Sequence, residues 1–141
     1  MAYWLLKSEP GTWSWDDQVA KGTEPWDGVR NAQAQANLKA MREGDLAFFY
    51  HSVTEKRIVG IVEIVGPFRA DPTDPSGRHG LVEVRAVQAV PTPIPLAAIK
   101  ADPALAHLGL VRQSRLSVVP IDPEAWERLR RMGGLPPAPF P

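Results

Sequence analysis

Proline placement is the feature that most restricts how this chain can fold. Thirteen of its fifteen prolines lie after residue 66. That is about twice the usual share of proline, and proline neither continues a helix nor donates a backbone hydrogen bond. Four of the five tryptophans, by contrast, fall within the first 26 residues. The chain is therefore asymmetric, with a Trp-rich opening, a compact middle and a Pro-punctuated second half, and it has no internal repeat. Its 141 residues suit one ordinary domain and not two cores. We place that domain at residues 1–135 and read the Pro-rich stretch 136–141 as a tail.

Local patterns fill in the elements. Tyr3–Lys7 reads as a short strand by its aromatic and aliphatic content. Ser14 and Asp17 resemble a capping box for a helix over Trp15–Ala20 closed by Gly22, and Asn31 caps a second, alanine-rich helix that ends before Gly44. Leu46–His51 and Ile58–Val65 read as a hairpin around polar Ser52–Arg57, followed by a long loop at Pro67–Gly80 with Asp-Pro turn signals. Leu81–Val90 alternates as a long strand, and Pro91, Pro93 and Pro95 then force an extended connection into a short helix at Leu96–Lys100. Asp102-Pro103 starts another helical turn, Leu116–Val119 is a last strand, and Asp122-Pro123-Glu124 opens a helix that ends at Gly133-Gly134. Strands and helices interleave without a βαβ rhythm. The expected class is α+β, a small, mostly antiparallel β-barrel with peripheral helices.

Charge and composition exclude several functions. Sixteen basic and sixteen acidic residues cancel, with a pI near 6.8, so the chain does not coat nucleic acid by bulk charge. Eleven of the sixteen cations are Arg, the type that makes bidentate contacts to phosphate and base edges. Without cysteine there is no thiol nucleophile or disulfide. Three histidines in no metal-binding spacing make a metal site or cofactor unexpected. No apolar run reaches bilayer length, and the opening Met1–Lys7 lacks the features of a secretory signal, so no membrane partner and a cytoplasmic address are expected. Hydrolase and nucleotide fingerprints are missing too, and Asp45, His51 and Ser52 point to opposite faces of a strand, so they cannot form a relay.

Four clusters remain as candidates for binding. Lys7-Ser8-Glu9-Pro10 ends a strand in a kinked polar turn that presents backbone groups and a hydroxyl; it also reads as a plain solvated turn. Trp26-Asp27-Gly28-Val29-Arg30-Asn31 sets a stacking face beside two hydrogen-bonding arms at a helix start. Its plainer reading makes Trp26 a core anchor and Asn31 only a helix cap. Phe48-Phe49-Tyr50-His51-Ser52 puts Phe49 and His51 on one face and Phe48, Tyr50 and Ser52 on the other. In Arg112-Gln113-Ser114-Arg115, two Arg three apart can clamp a phosphate or simply be solvated.

These strings resemble a known family. Tyr3-Trp4-Leu5-Leu6-Lys7-Ser8-Glu9-Pro10, Trp13-Ser14-Trp15-Asp16-Asp17, Trp26–Asn31, Gly44-Asp45 with Phe48–Ser52, and Leu110–Val118 look like the EVE domain family over Tyr3 to about Gly134. The resemblance implies a PUA-like barrel, shared with the YTH and ASCH groups. YTH domains read methylated adenine in RNA, and their order of motifs parallels Lys7-Ser8, Trp26, Asn31, Phe48-Phe49 and Gly60–Glu63 here. By this likeness the chain is a non-catalytic module that reads a modified nucleobase in DNA or RNA through an aromatic pocket. Trp26 would stack on the base, with Trp13 or Trp15 as a second wall. Lys7, Ser8 and Asn31 would read its edge with Arg30 as a further ligand-binding arm, Tyr50, His51 and Ser52 would line the pocket, and Arg112 and Arg115 would hold flanking phosphates, with Gln113 or Ser114 pointing the other way. The rival readings are an ASCH-like hydrolase of acylated cytidine, with Lys7 and Glu9 as base and acid, and a sensor of a free small molecule. Because a Pro-rich terminus buries little, deleting residues 136–141 should leave the thermal midpoint unchanged. A drop of several degrees in a calorimetric scan would show that the tail docks on the domain.

Overall fold

The aromatic strand in the middle of the sequence is also the middle of the structure. In the computed structural model, which describes residues 1–137, all six side chains of β3 (Leu46–His51) are buried. On one side Phe48 stacks on Trp126 at 4.1 Å, and Tyr3 stacks on the same indole at 4.4 Å. Trp126 is fully buried against them, and its indole N–H has no partner among the described residues. On the other side Phe49 meets the edges of Trp15 and Trp26 at 5.4 and 5.6 Å. Alternation along one strand thus divides the core into two aromatic layers.

Around β3, a six-stranded sheet runs in the order β2 (Thr23–Pro25), β7 (Glu83–Pro95), β4 (Arg57–Ile64), β3, β1 (Tyr3–Ser8), β8 (Val118–Ile121). Every neighbouring pair is antiparallel except β1 with β3. A parallel pair needs a crossover, and the chain between them supplies α1 (Trp15–Lys21), β2 and α2 (Ala32–Ala40). Ser8 therefore lies opposite His51, and both strands end at the same edge of the molecule. The sheet curls into a half-barrel whose outer strands, β2 and β8, do not pair with each other. The fold is PUA-like α+β, as expected.

Capping holds as read. Ser14 Oγ accepts from the Asp17 N–H while Asp17 accepts from the Ser14 N–H, Asn31 accepts from the Ala34 N–H, and Asp122 caps α5 (Pro123–Met132). The second half differs from its reading in four places, one of them a helix over Gly109–Arg112 where a polar loop was expected. The strand expected at Leu81–Val90 runs as Glu83–Pro95, so the prolines prolong it. They are tolerated because the register with β4 jumps from Ala89 to Ile94, and no ladder bond is asked of Pro91 or Pro93. Gly80–Leu81 (β6) instead pairs with Arg69–Ala70 (β5), inside the segment read as a loop. The last strand lies at Val118–Ile121 and includes Pro120, which an edge strand accommodates. Two short helices, α3 (Leu96–Lys100) and α4 (Gly109–Arg112), and a 3-10 turn at Pro103–Leu105 close that side. Leu135 is buried and bonded to Arg130, while Pro136 and Pro137 are exposed; the rest of the expected tail lies outside the described residues.

Gly60 sets how closely α1 approaches the sheet. A Cβ there would lie 2.5 Å from ring carbons of Trp15. Gly60→Ala should therefore cost about 1–3 kcal/mol, as overpacking does. Urea unfolding of the variant checks this, and an unchanged midpoint would show that Trp15 moves aside freely.

Candidate functional site

A recess of about 490 Å³ opens where the C-terminal end of β1 meets the loop between β2 and α2. Five of the expected site residues line it: Lys7, Ser8, Trp13, Trp26 and Arg30. Lys7 and Ser8 come from the end of β1, which the parallel pairing carries beyond the buried aromatic layer. Lys7 donates from Nζ to the Ser114 carbonyl at 3.0 Å and stands 5.9 Å above the Tyr50 ring. Burial lowers its ammonium from the ordinary lysine value. The Ser8 hydroxyl donates to the Trp13 carbonyl, folding the Glu9–Thr12 turn into a wall. Trp13 is fastened through its indole N–H to Gln18 at 3.0 Å.

Trp26 is both anchor and wall. It is only 9% exposed, its backbone N–H donates to the Val82 carbonyl at 2.8 Å, and its ring packs edge-to-face with Phe49, yet it still lines the recess. The loop that follows is held by Asp71, a residue the sequence reading passed over as part of a turn. Its carboxylate accepts from the Gly28 N–H at 2.9 Å, Arg30 at 3.1 Å and Thr73. Burial alone would raise the Asp71 carboxyl, but the bonds from Thr73, Gly28 and Arg30 outweigh it and hold it well below the usual carboxylate range. Three further carboxylates, Glu9, Glu24 and Asp27, line the same recess.

The other expected site residues lie elsewhere. Asn31 spends its side-chain carbonyl on capping α2 and lines a smaller polar recess of 300 Å³ with Arg112, Gln113, Ser114 and Arg115. The two recesses flank the Lys7–Ser114 hydrogen bond. Tyr50 is buried beneath Lys7, and burial pushes its phenol up. His51 has both ring nitrogens committed: Nε2 accepts from the Trp15 N–H at 2.9 Å, so Nδ1 carries the proton and donates to Glu55 at 3.0 Å. Ser52 donates its N–H to the Ser8 carbonyl. Tyr50, His51 and Ser52 thus support the wall from behind and do not line the recess. A larger recess of 600 Å³ beside β8 is walled chiefly by apolar groups such as Tyr3, Trp4 and Ile121. Among the described residues no cluster of three His, Cys, Asp or Glu could hold a metal ion, and no helix is long and apolar enough to cross a membrane.

Sheet order and recess together define a PUA-like domain with a partly aromatic cleft at one end of its half-barrel. Residues 2–132 match the EVE domain model, and the chain belongs to the EVE domain family. It is 34% identical to human thymocyte nuclear protein 1 over 89% of this chain and 71% of that one. The crystal structure of that human protein in complex with 5-methylcytosine-containing DNA superposes with a TM-score of 0.89, covering 97% of this chain and 100% of the other at 33% identity. An NMR structure of a Rhodopseudomonas palustris protein gives 0.92 at 51% identity over 98% and 97% of the two chains. A YTH domain from Zygosaccharomyces rouxii, solved with N6-methyladenosine RNA, matches at 0.56 and 17% identity, with 94% of this chain and 86% of that one covered, and so shares the fold.

The Asp71 clamp makes a signed prediction. A depressed carboxyl stabilises the fold above its unfolded pKa of about 3.9, and the contribution is lost as pH falls through the lower folded value. Asp71→Asn turns an amide toward donors and should cost about 1–3 kcal/mol at neutral pH. Below about pH 4 the gap to the parent should narrow. Urea midpoints across that range test it; a gap that stays constant would show that Asp71 titrates normally.

Proposed function

We propose that this protein is a binding module that takes one modified base of a nucleic-acid strand into the Trp26 recess. The carrying observation is the joining of an indole wall with hydrogen-bonding main chain and carboxylates in one 490 Å³ space. Stacking on such a face is worth about 1–3 kcal/mol per base. Glu24 is paired with Lys21 and Arg30 with Asp71, while Glu9 and Asp27 disfavour phosphate but accept well from an exocyclic amino group, as carboxylates do from cytosine. The phosphates belong instead in the neighbouring recess, where neither Arg112 nor Arg115 has a carboxylate partner among the described residues. A net charge of zero suits a site that grips one extruded base and a few phosphates.

Kinship supports the same reading. Thymocyte nuclear protein 1 was solved with DNA containing 5-methylcytosine, so a methylated base in DNA is the first ligand to try. The lowered Lys7 ammonium beside Glu9 favours one rival, a hydrolase of acylated cytidine. Release of free cytidine from N-acylated nucleoside by the purified protein would replace the reader with that enzyme.

Mutations separate base reading from backbone holding. Trp26→Phe, which keeps a ring in the core, should weaken the preference for a methylated over an unmethylated oligonucleotide; Trp26→Ala should abolish it, at a loss of about 1–3 kcal/mol. Arg112→Ala and Arg115→Ala should weaken both ligands alike and flatten the salt slope by about one unit each. Titrations at several salt concentrations measure both effects, once each variant is shown to melt as a folded protein. A folded Trp26→Ala protein with full preference would place the base elsewhere.

A further inference from the structure

Among the described residues only two that are not glycine have positive φ, Val53 at 69° and Lys56 at 51°. For a β-branched side chain this is a genuine outlier. The Thr54 N–H donates to the Ser52 carbonyl at 3.0 Å, closing a three-residue turn with Val53 at its apex, the rare and strained form of the γ-turn. The isopropyl group is 60% exposed and belongs to no core cluster. Packing therefore gives no reason for valine where glycine or asparagine would sit without strain.

Strain of this kind persists only where the surroundings impose it, and here they do. Ser52 donates to Ser8, Glu55 accepts from His51 and Arg57, and the Lys56 carbonyl accepts from the Leu96 N–H at 2.8 Å. The loop Ser52–Lys56 is thus held firmly with its apolar tip in water. Its position is equally specific. Ser8 lines the Trp26 recess, and the parallel pairing of β1 with β3 sends both loops out of the same end of the sheet.

We propose that Val53 is a wedge, which enters the base stack of a duplex at the place vacated by the base drawn into the Trp26 recess. Lys56, exposed and without a carboxylate partner among the described residues, meets the adjacent phosphate. The proposal rests on the base-reading function above. Extruding a base leaves a gap and costs stacking, and apolar side chains inserted between base steps fill such gaps. A β-branched side chain on a stiff loop has little rotamer freedom left to lose on entry. A single strand has no such gap, so the wedge acts on duplex alone.

The test compares Val53→Gly and Val53→Leu with the parent, using a short fluorescent duplex with one 5-methylcytosine and the methylated single strand of the same sequence. Val53→Gly should melt at or above the parent temperature, since it relieves the turn. Its affinity for duplex should fall by about tenfold while that for single strand stays within about twofold. Val53→Leu, which restores a wedge, should recover most of the loss. Unchanged duplex affinity in Val53→Gly, or an equal loss on the single strand, overturns the wedge. If the parent binds methylated and unmethylated strands alike, the base-reading function itself fails and the wedge with it; a methyl preference without a Val53 effect removes the wedge alone.

Discussion

Burial of both faces of β3 is the constraint on which the rest of the structure depends. Phe49 stands under Trp15 and Trp26, so one phenyl ring fixes the heights of α1 and of the loop that walls the recess. Phe48, facing the other way, fixes α5 through Trp126. Aromatic pairs add about 0.5–1.5 kcal/mol each beyond the area they bury, which ties α1, α5 and the recess wall to the same strand. A site built on them needs little further ordering when a ligand arrives.

Over this apolar floor the recess is tied by hydrogen bonds that cross long stretches of sequence. Asp71 reaches back to Gly28 and Arg30, Lys7 forward to Ser114, and Gln35 to the Gly80 backbone. Each joins a loop to a different part of the half-barrel. The walls are consequently loops in sequence but fixed surfaces in space, which is how a scaffold presents binding groups. The Trp26 recess mixes charges, with Glu9, Glu24 and Asp27 beside Lys7 and Arg30, whereas the next one is lined by Arg112 and Arg115, which have no carboxylate partner among the described residues.

Much of the fold was legible because its signals are local. Ser14–Asp17, Asn31 and Asp122 cap the helices they were expected to cap, and β3 and β4 pair as the hairpin that the polar Ser52–Arg57 segment between two apolar runs implies. Two of the misplaced strands, β7 and β8, involve proline. Pro91, Pro93 and Pro120 argue against strand by local rule, yet a register jump and an edge position remove the missing donors from the ladder. The pairing of β5 with β6 escaped notice because two-residue strands carry no periodicity. Among site residues, His51 looked available by type, but its two ring nitrogens are taken up by Trp15 and Glu55. Asp71 looked like a turn residue and proves to hold the wall.

The amino-acid sequence alone determined the family, the α+β class, the helix caps, the two-faced aromatic strand and the absence of any cysteine chemistry. All of these depend on residues a few positions apart, or on strings long enough to be specific. Tertiary structure decided which candidates share a recess. Lys7, Ser8, Trp13, Trp26 and Arg30 meet because β1 and β3 run parallel and the sheet curls, while Asn31, Arg112 and Arg115 fall on the far side of the Lys7–Ser114 bond. It also decided that Val53 stands strained and exposed next to Ser52, whose N–H is bonded to the Ser8 carbonyl. Such juxtapositions arise from pairings between distant segments, and no local spacing encodes them.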